Sequence, residues 1–244
     1  DTITWYENVS TLASPVLSFQ LDGATDSGVP GDDITNFTTI NIVGTTDPLQ
    51  EVLLDLDGDD EFDDASVTAD ALGAFAFNTL ALTEGPNDIA LQAINASGTT
   101  EQSETITLDT QPPSAVLIEP TPDLETAADS GFIDVQWTDT GTADIDPAAF
   151  DPGDVTITGA NVDSVELLGG SLVRYRYDDD ADALPSGKID MTFAAGEVPD
   201  QAANANVEQT ASFTFASIEP EIDVLLDGAG IVDGKVIPIA FGPV

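Results

Sequence analysis

The chain has 244 residues, 41% of them hydrophobic, with 46 Asp and Glu against 4 Lys and Arg, a net charge of −42, and neither Cys nor His. So few cations build no basic patch, which argues against nucleic acid and anionic membrane surfaces as partners. The missing Cys and His remove disulfides, thiolate chemistry, imidazole bases and the usual zinc ligands, so an expected metal is hard and bound through oxygen, calcium first.

Short segments of alternating hydrophobicity, separated by Gly, Pro, Asp and Asn, predict an all-β fold. Residues 1–14 read as an N-terminal extension or the tail of a preceding module; Asp1 reads as a cut end, with neither initiator Met nor signal peptide before it. Strands are expected at 16–22, 37–43, 51–57, 66–69, 74–78, 88–93 and 104–109. In "FTTINIV" Ile40 and Ile42 share one face and are expected to point into the core. Seven short strands in roughly 95 residues is the rhythm of an immunoglobulin-like sandwich, which takes residues 15–111. Pro112 and Pro113 stiffen the linker that follows.

A second sandwich is expected over 112–216, with strands at 115–118, 132–137, 154–158, 164–168, 172–177, 188–194 and 207–215. Trp137 is expected to be its buried tryptophan. In "RYRY" the tyrosines Tyr175 and Tyr177 and the arginines Arg174 and Arg176 fall on opposite faces. "DIDPAAF" suits one helical turn opened by Pro147. Residues 217–244 are too few to close a core and read as the start of a further β module or a C-terminal extension. The fold class is all-β: two tandem immunoglobulin-like antiparallel β-sandwiches with short N- and C-terminal extensions. No apolar run of about 18 residues is present, so no membrane insertion is expected.

"DLDGDDEFDD" is the densest acidic stretch. Asp55, Asp57 and Asp59 stand at i, i+2 and i+4, Gly58 permits a sharp turn, and Asp63 or Asp64 can close a calcium cage from the far side. An EF-hand is excluded, because Ser66 takes the place of its closing Glu. The alternative is a solvated acidic hairpin. The 22–36 loop offers Asp22, Asp26, Asp32 and Asp33, whose other role is to make turns. The stretch from 139 to 154 carries Asp139, Asp144, Asp146, Asp151 and Asp154, of which Asp144 and Asp146 join the candidate ligands; Asp146 alternatively opens the Pro147 turn. "DDDAD" at 178–182 reads as an acidic turn.

Counting strands up and down places the 22–36 loop, the 58–65 loop and Asp109 at the end of the first module that faces the second. The 138–153 and 195–206 loops fall at the facing end of the second. The acidic loops therefore converge on one junction, which repels itself unless cations neutralise it. Calcium there would stiffen the chain. Adaptation to high salt is a second reading of the same acidity.

"LDGATDSGVPGDDITNFTTINIVGT", "VLLDLDGDDEFDD" with "GAFAFNTLALTEGPNDIALQAINASGT", and "ITLDTQPP" resemble the opening, middle and exit of tandem bacterial Ig-like modules in large secreted or surface proteins, repetitive adhesins among them. "VQWTDTGTADIDPAAF" and "MTFAAGEVPDQAANANV" are similar to a related Ig-like family, and "PEIDVLLDGAGIVDG" to the start of a choice-of-anchor D module. The resemblance implies a non-catalytic structural or adhesive segment, extracellular or on the cell surface, whose partners are the neighbouring modules of its own chain. Other roles remain open: a module binding surface glycans or proteins, or a filament subunit that pairs with copies of itself through "DTITWYENVSTL" or "VIPIAFGPV". Catalysis is not expected, since without His or Cys only carboxylate pairs remain, and 46 carboxylates make such pairs inevitable.

Overall fold

The computed structural model describes residues 13–122, 124–126, 130–177 and 184–216. Both expected extensions and the 178–182 turn lie outside these residues, apart from 13 and 14. In the first module the strands are β1 (Leu17–Leu21), β2 (Ile34–Thr35), β3 (Thr39–Thr46), β4 (Glu51–Asp55), β5 (Ala65–Thr68), β6 (Ala74–Ala81), β7 (Gly85–Asn95) and β8 (Gly98–Leu108). They form two sheets, β1-β3-β6 and β2-β8-β7-β4-β5. Burial alternates strictly along β1, so one edge of the period-two pattern faces inward. Ile40, Ile42, Val52, Leu54, Ile89, Leu91 and Ile106 fill the space between the sheets, all at 1% exposure or less. Burying each of them stabilises the module by about 1.5–3 kcal/mol.

The second module contains β9 (Ser114–Glu119), β10 (Glu125–Thr126), β11 (Phe132–Thr138), β12 (Val155–Ile157), β13 (Val162–Gly169), β14 (Leu172–Tyr177), β15 (Gly187–Phe193) and β16 (Gln209–Phe215). Its sheets are β13-β14-β11-β9 and β10-β16-β15-β12. Trp137 is buried between them, edge-on to Phe193 with ring centroids 5.8 Å apart. Tyr175 and Tyr177 point inward and the arginines outward. Arg174 grips Asp134 through two of its guanidinium nitrogens, Nε and Nη2, and lies 3.7 Å over the Phe132 ring, while Arg176 pairs with Glu166.

Three expectations need correction. The two-residue strands β2 and β10 each pair in parallel with the last strand of their module, β8 and β16. Two residues are too few to show alternation. "DIDPAAF" forms no helix: Asp146 accepts from the Ala148 amide and makes a simple turn. The helical turn lies further on, a 3₁₀ turn at Pro152–Asp154 with Asp151 as its cap, where Pro supplies the fixed φ. The β7–β8 hairpin also runs longer than expected, because its polar outer face stays paired up to the tight turn between Asn95 and Gly98.

Candidate functional site

The modules meet through loops of both. Ser27 donates its hydroxyl to the Ala202 carbonyl (2.7 Å), and the Val29 amide reaches the Gln201 carbonyl (3.3 Å). Gly28, between them, has φ +70°, and a Cβ there would overlap the Gln201 carbonyl oxygen. From the end of β8, Asp109 enters the same junction fully buried. Its amide is held by the Thr35 carbonyl of β2, so the paired ends of β2 and β8 fix its position.

Asp109 meets two aspartates of the second module. Asp139 follows β11, and Asp200 lies in the loop from β15 to β16. The three carboxylates place one oxygen each within 4.8 Å of one another. Five of their six oxygens accept one N–H each. Asp109 takes the Gln111 amide on Oδ1 and the Ala143 amide on Oδ2. Asp139 Oδ1 takes the Gly141 amide (2.6 Å). Asp200 takes the backbone amide and the side-chain amide of Asn204, both at 2.8 Å. A carboxylate oxygen has two lone pairs, so these bonds aim each group and leave a further pair for a ligand. The sixth oxygen, Asp139 Oδ2, is buried and has no hydrogen-bond partner among the described residues. Gly141 sits so close to the Asp109 carboxylate that no Cβ fits.

Electrostatics at this cluster are unfavourable without a cation. Burial pushes the carboxyls of Asp139 and Asp200 above their ordinary value, and the charge of Asp109 adds to both shifts. Among the described residues the three cationic side chains are engaged elsewhere: Arg174 with Asp134, Arg176 with Glu166 and Lys188 with Asp190. All the donors are oxygens, the set that suits a hard divalent ion.

The second carboxylate group, Asp55, Asp57 and Asp64, belongs to the loop expected at the junction. It lies on the flank of the first module instead. Asp55 pairs with Ala90, five residues along β7 from Gly85, which sits beside Leu108 at the junction end. At the rise of a strand the loop thus leaves the sheet about 17 Å short of it. Strand counting sees only which way a strand runs, not how far it runs. Asp59 is outside the group and Asp64 inside it, so the carboxylates that converge are not the three at i, i+2 and i+4. Asp64 Oδ2 accepts the Leu56 and Asp57 amides, and Asp55 accepts those of Gly58 and Asp60, which ties the loop onto itself. The charge of Asp59, then burial and Asp64, pushes the Asp57 carboxyl up.

Of the other expected ligands, Asp22, Asp26, Asp32, Asp33, Asp63, Asp144 and Asp146 join neither group. Asp22 and Asp32 cap local turns at Ala24 and Ile34. Asp26 accepts the Gly31 amide, and Asp33 takes φ +59°. Asp144 contributes its carbonyl, which accepts the Gln201 amide. Sequence reasoning named Asp109 but passed over Asp200, a lone aspartate in "VPDQ". It placed Asp139 in an acidic loop without choosing it.

No curated protein sequence matches the chain. Among solved structures, the CbhA fibronectin(III)-like modules of Clostridium thermocellum share 14% identity over 84% of this chain and 97% of theirs, with a TM-score of 0.36. The titin I-band fragment I67-I69 shares 14% over 84% of this chain and 66% of its own, at 0.42. Invasin, a bacterial integrin-binding protein, shares 14% over 83% of this chain and 39% of its own, at 0.28. The chain is all-β with tandem sandwiches, and residues 11–110, the region of its first module, match the family model of a bacterial Ig-like domain.

Proposed function

We propose that this chain is a load-bearing or adhesive segment of an extracellular bacterial protein, a rod of Ig-like modules whose junction is stiffened by calcium. One observation carries the reading: Asp109 of the first module and Asp139 and Asp200 of the second converge as a largely buried, all-oxygen cluster with, among the described residues, an unpartnered oxygen and no cationic side chain paired to it. A divalent ion held by these three residues would cancel their repulsion and tie both modules to one centre. Calcium would supply charge and coordination there, and the chain supplies orientation through the N–H donors on five oxygens. The rigid linker residues Pro112 and Pro113 support the same reading.

Calorimetry on the chelator-treated chain should show calcium binding, and 100-fold excess over Kd should add about 2.7 kcal/mol of stability. Asp139→Asn, which removes a charge but keeps the size of the side chain and an oxygen to accept the Gly141 amide, should weaken the affinity about tenfold or more while the melting of the ion-free chain stays within a few degrees. Small-angle scattering should show a wider range of inter-module angles after chelation. No heat of binding, or equal binding by the variant, would remove calcium from the reading. Stabilisation by molar sodium chloride alone would point to charge screening instead.

A further inference from the structure

The loop that starts at Asp139 ends at Asp154, another fully buried carboxyl. Its Oδ2 accepts the Tyr175 hydroxyl (2.7 Å) and the Asp151 amide (3.1 Å). The Tyr175 oxygen in turn accepts the Trp137 indole N–H (3.0 Å). Oδ1 of Asp154 is buried and has no hydrogen-bond partner among the described residues. The charged groups facing it are Asp151, from its own turn, and Glu197, from the loop after β15; both are acidic, and Tyr175 of β14 is neutral. An ionised carboxylate here would have one oxygen with nothing to accept from and two like charges nearby. The neutral acid loses far less on leaving water.

We propose that Asp154 is a buried proton-binding site that locks the 139–154 loop onto the core of the second module, tight when protonated and loosened when ionised. The contacts that would loosen are specific. Phe150 packs on the Trp137 ring at 6.2 Å, and the Asp154 carbonyl accepts the Ala194 amide at 2.9 Å. Asp146 and Asp144 of the same loop bond to Pro199 and Gln201 at the junction.

Burial pushes the Asp154 carboxyl up to about 6, with Asp151 and Glu197 adding to the shift and the Tyr175 hydroxyl opposing it. Because the folded value lies above the ordinary 3.8, the folded chain holds the extra proton between roughly pH 4 and 6. The stabilising contribution is full below the lower value and is lost as pH rises through the upper one. The second module therefore tightens in mild acid.

The test uses the whole chain, with its carboxyl carbons followed by NMR from pH 3.5 to 8, once with calcium and once with chelator. Asp154 is expected to titrate with a midpoint near 6, and the Trp137 indole proton to shift with the same midpoint, in both conditions. Asp154→Asn should abolish the Trp137 transition. Titration of Asp154 near 4, or a Trp137 transition that survives in Asp154→Asn, overturns the proposal. The parent titration decides by itself if the variant does not fold. Agreement between the two ionic conditions separates this result from the calcium reading, on which it does not rest.

Discussion

Replacing Trp137 by alanine is expected to lower the stability of the second module by about 3–5 kcal/mol and leave the first module unchanged. The indole is 1% exposed, edge-on to Phe193 and tilted against Phe150. Its removal opens a cavity between two sheets whose backbones are fixed by their own ladders, so collapse around the gap is limited. It also takes away the N–H donor of the Tyr175 oxygen. Trp137→Phe keeps most of the volume and should cost less, about 1–3 kcal/mol. Urea unfolding followed separately in each module by NMR measures this. A loss under about 1 kcal/mol, or one shared equally by both modules, would show that the indole is not the anchor of its core.

Gly28→Ala is expected to have the largest effect on shape with little on either core. Two penalties coincide there: φ is +70°, where a side chain is strained, and the new Cβ would overlap the Gln201 backbone oxygen. A flexible side chain can turn away from such a clash, but a carbonyl held in a loop cannot. The junction should therefore part, losing the Ser27–Ala202 and Val29–Gln201 bonds, each worth about 1 kcal/mol. Asp109 and Asp200 would then no longer be held together, so the calcium affinity proposed for their cluster should drop with the geometry. The expected readout is a larger spread of inter-module orientations in residual dipolar couplings, with the melting of each module within about 2 °C of the parent. Unchanged couplings would mean that the two modules meet without needing this glycine.

The sandwiches are legible in the sequence because burial on one face imposes period two, and Ile40, Ile42 and Trp137 occupy the places that pattern assigns. Strand direction also carries through: the 22–36 loop and Asp109 meet the 138–153 and 195–206 loops. The carboxylate cluster at the junction is only half legible. Local spacing favours Asp55, Asp57 and Asp59, or Asp144 and Asp146, since neighbours in sequence are easy to see as a set. The residues brought together across the junction are 109, 139 and 200, each from a different segment and none within a matching motif. Such a site is written in topology, and a lone buried aspartate such as Asp200 gives no signal until its loop is placed. Asp154 is similar: it stands in an acidic stretch, yet its role comes from Tyr175 and Trp137, two other strands away.

The short parallel pairing of β2 with β8 bears on how the first module responds to force. A pull on the two ends of the chain draws β1 and β2 one way and β8 the other, along the direction of the strands. The bonds from the Thr107 amide to the Asp33 carbonyl and from the Asp109 amide to the Thr35 carbonyl are then loaded side by side, in shear. They must fail together, whereas a hairpin pulled from its open end unzips one rung at a time. The second module repeats the device at Glu125–Thr126 against β16. A pair of residues that adds almost nothing to a hydrophobic core can thus set the tension at which each sandwich gives way.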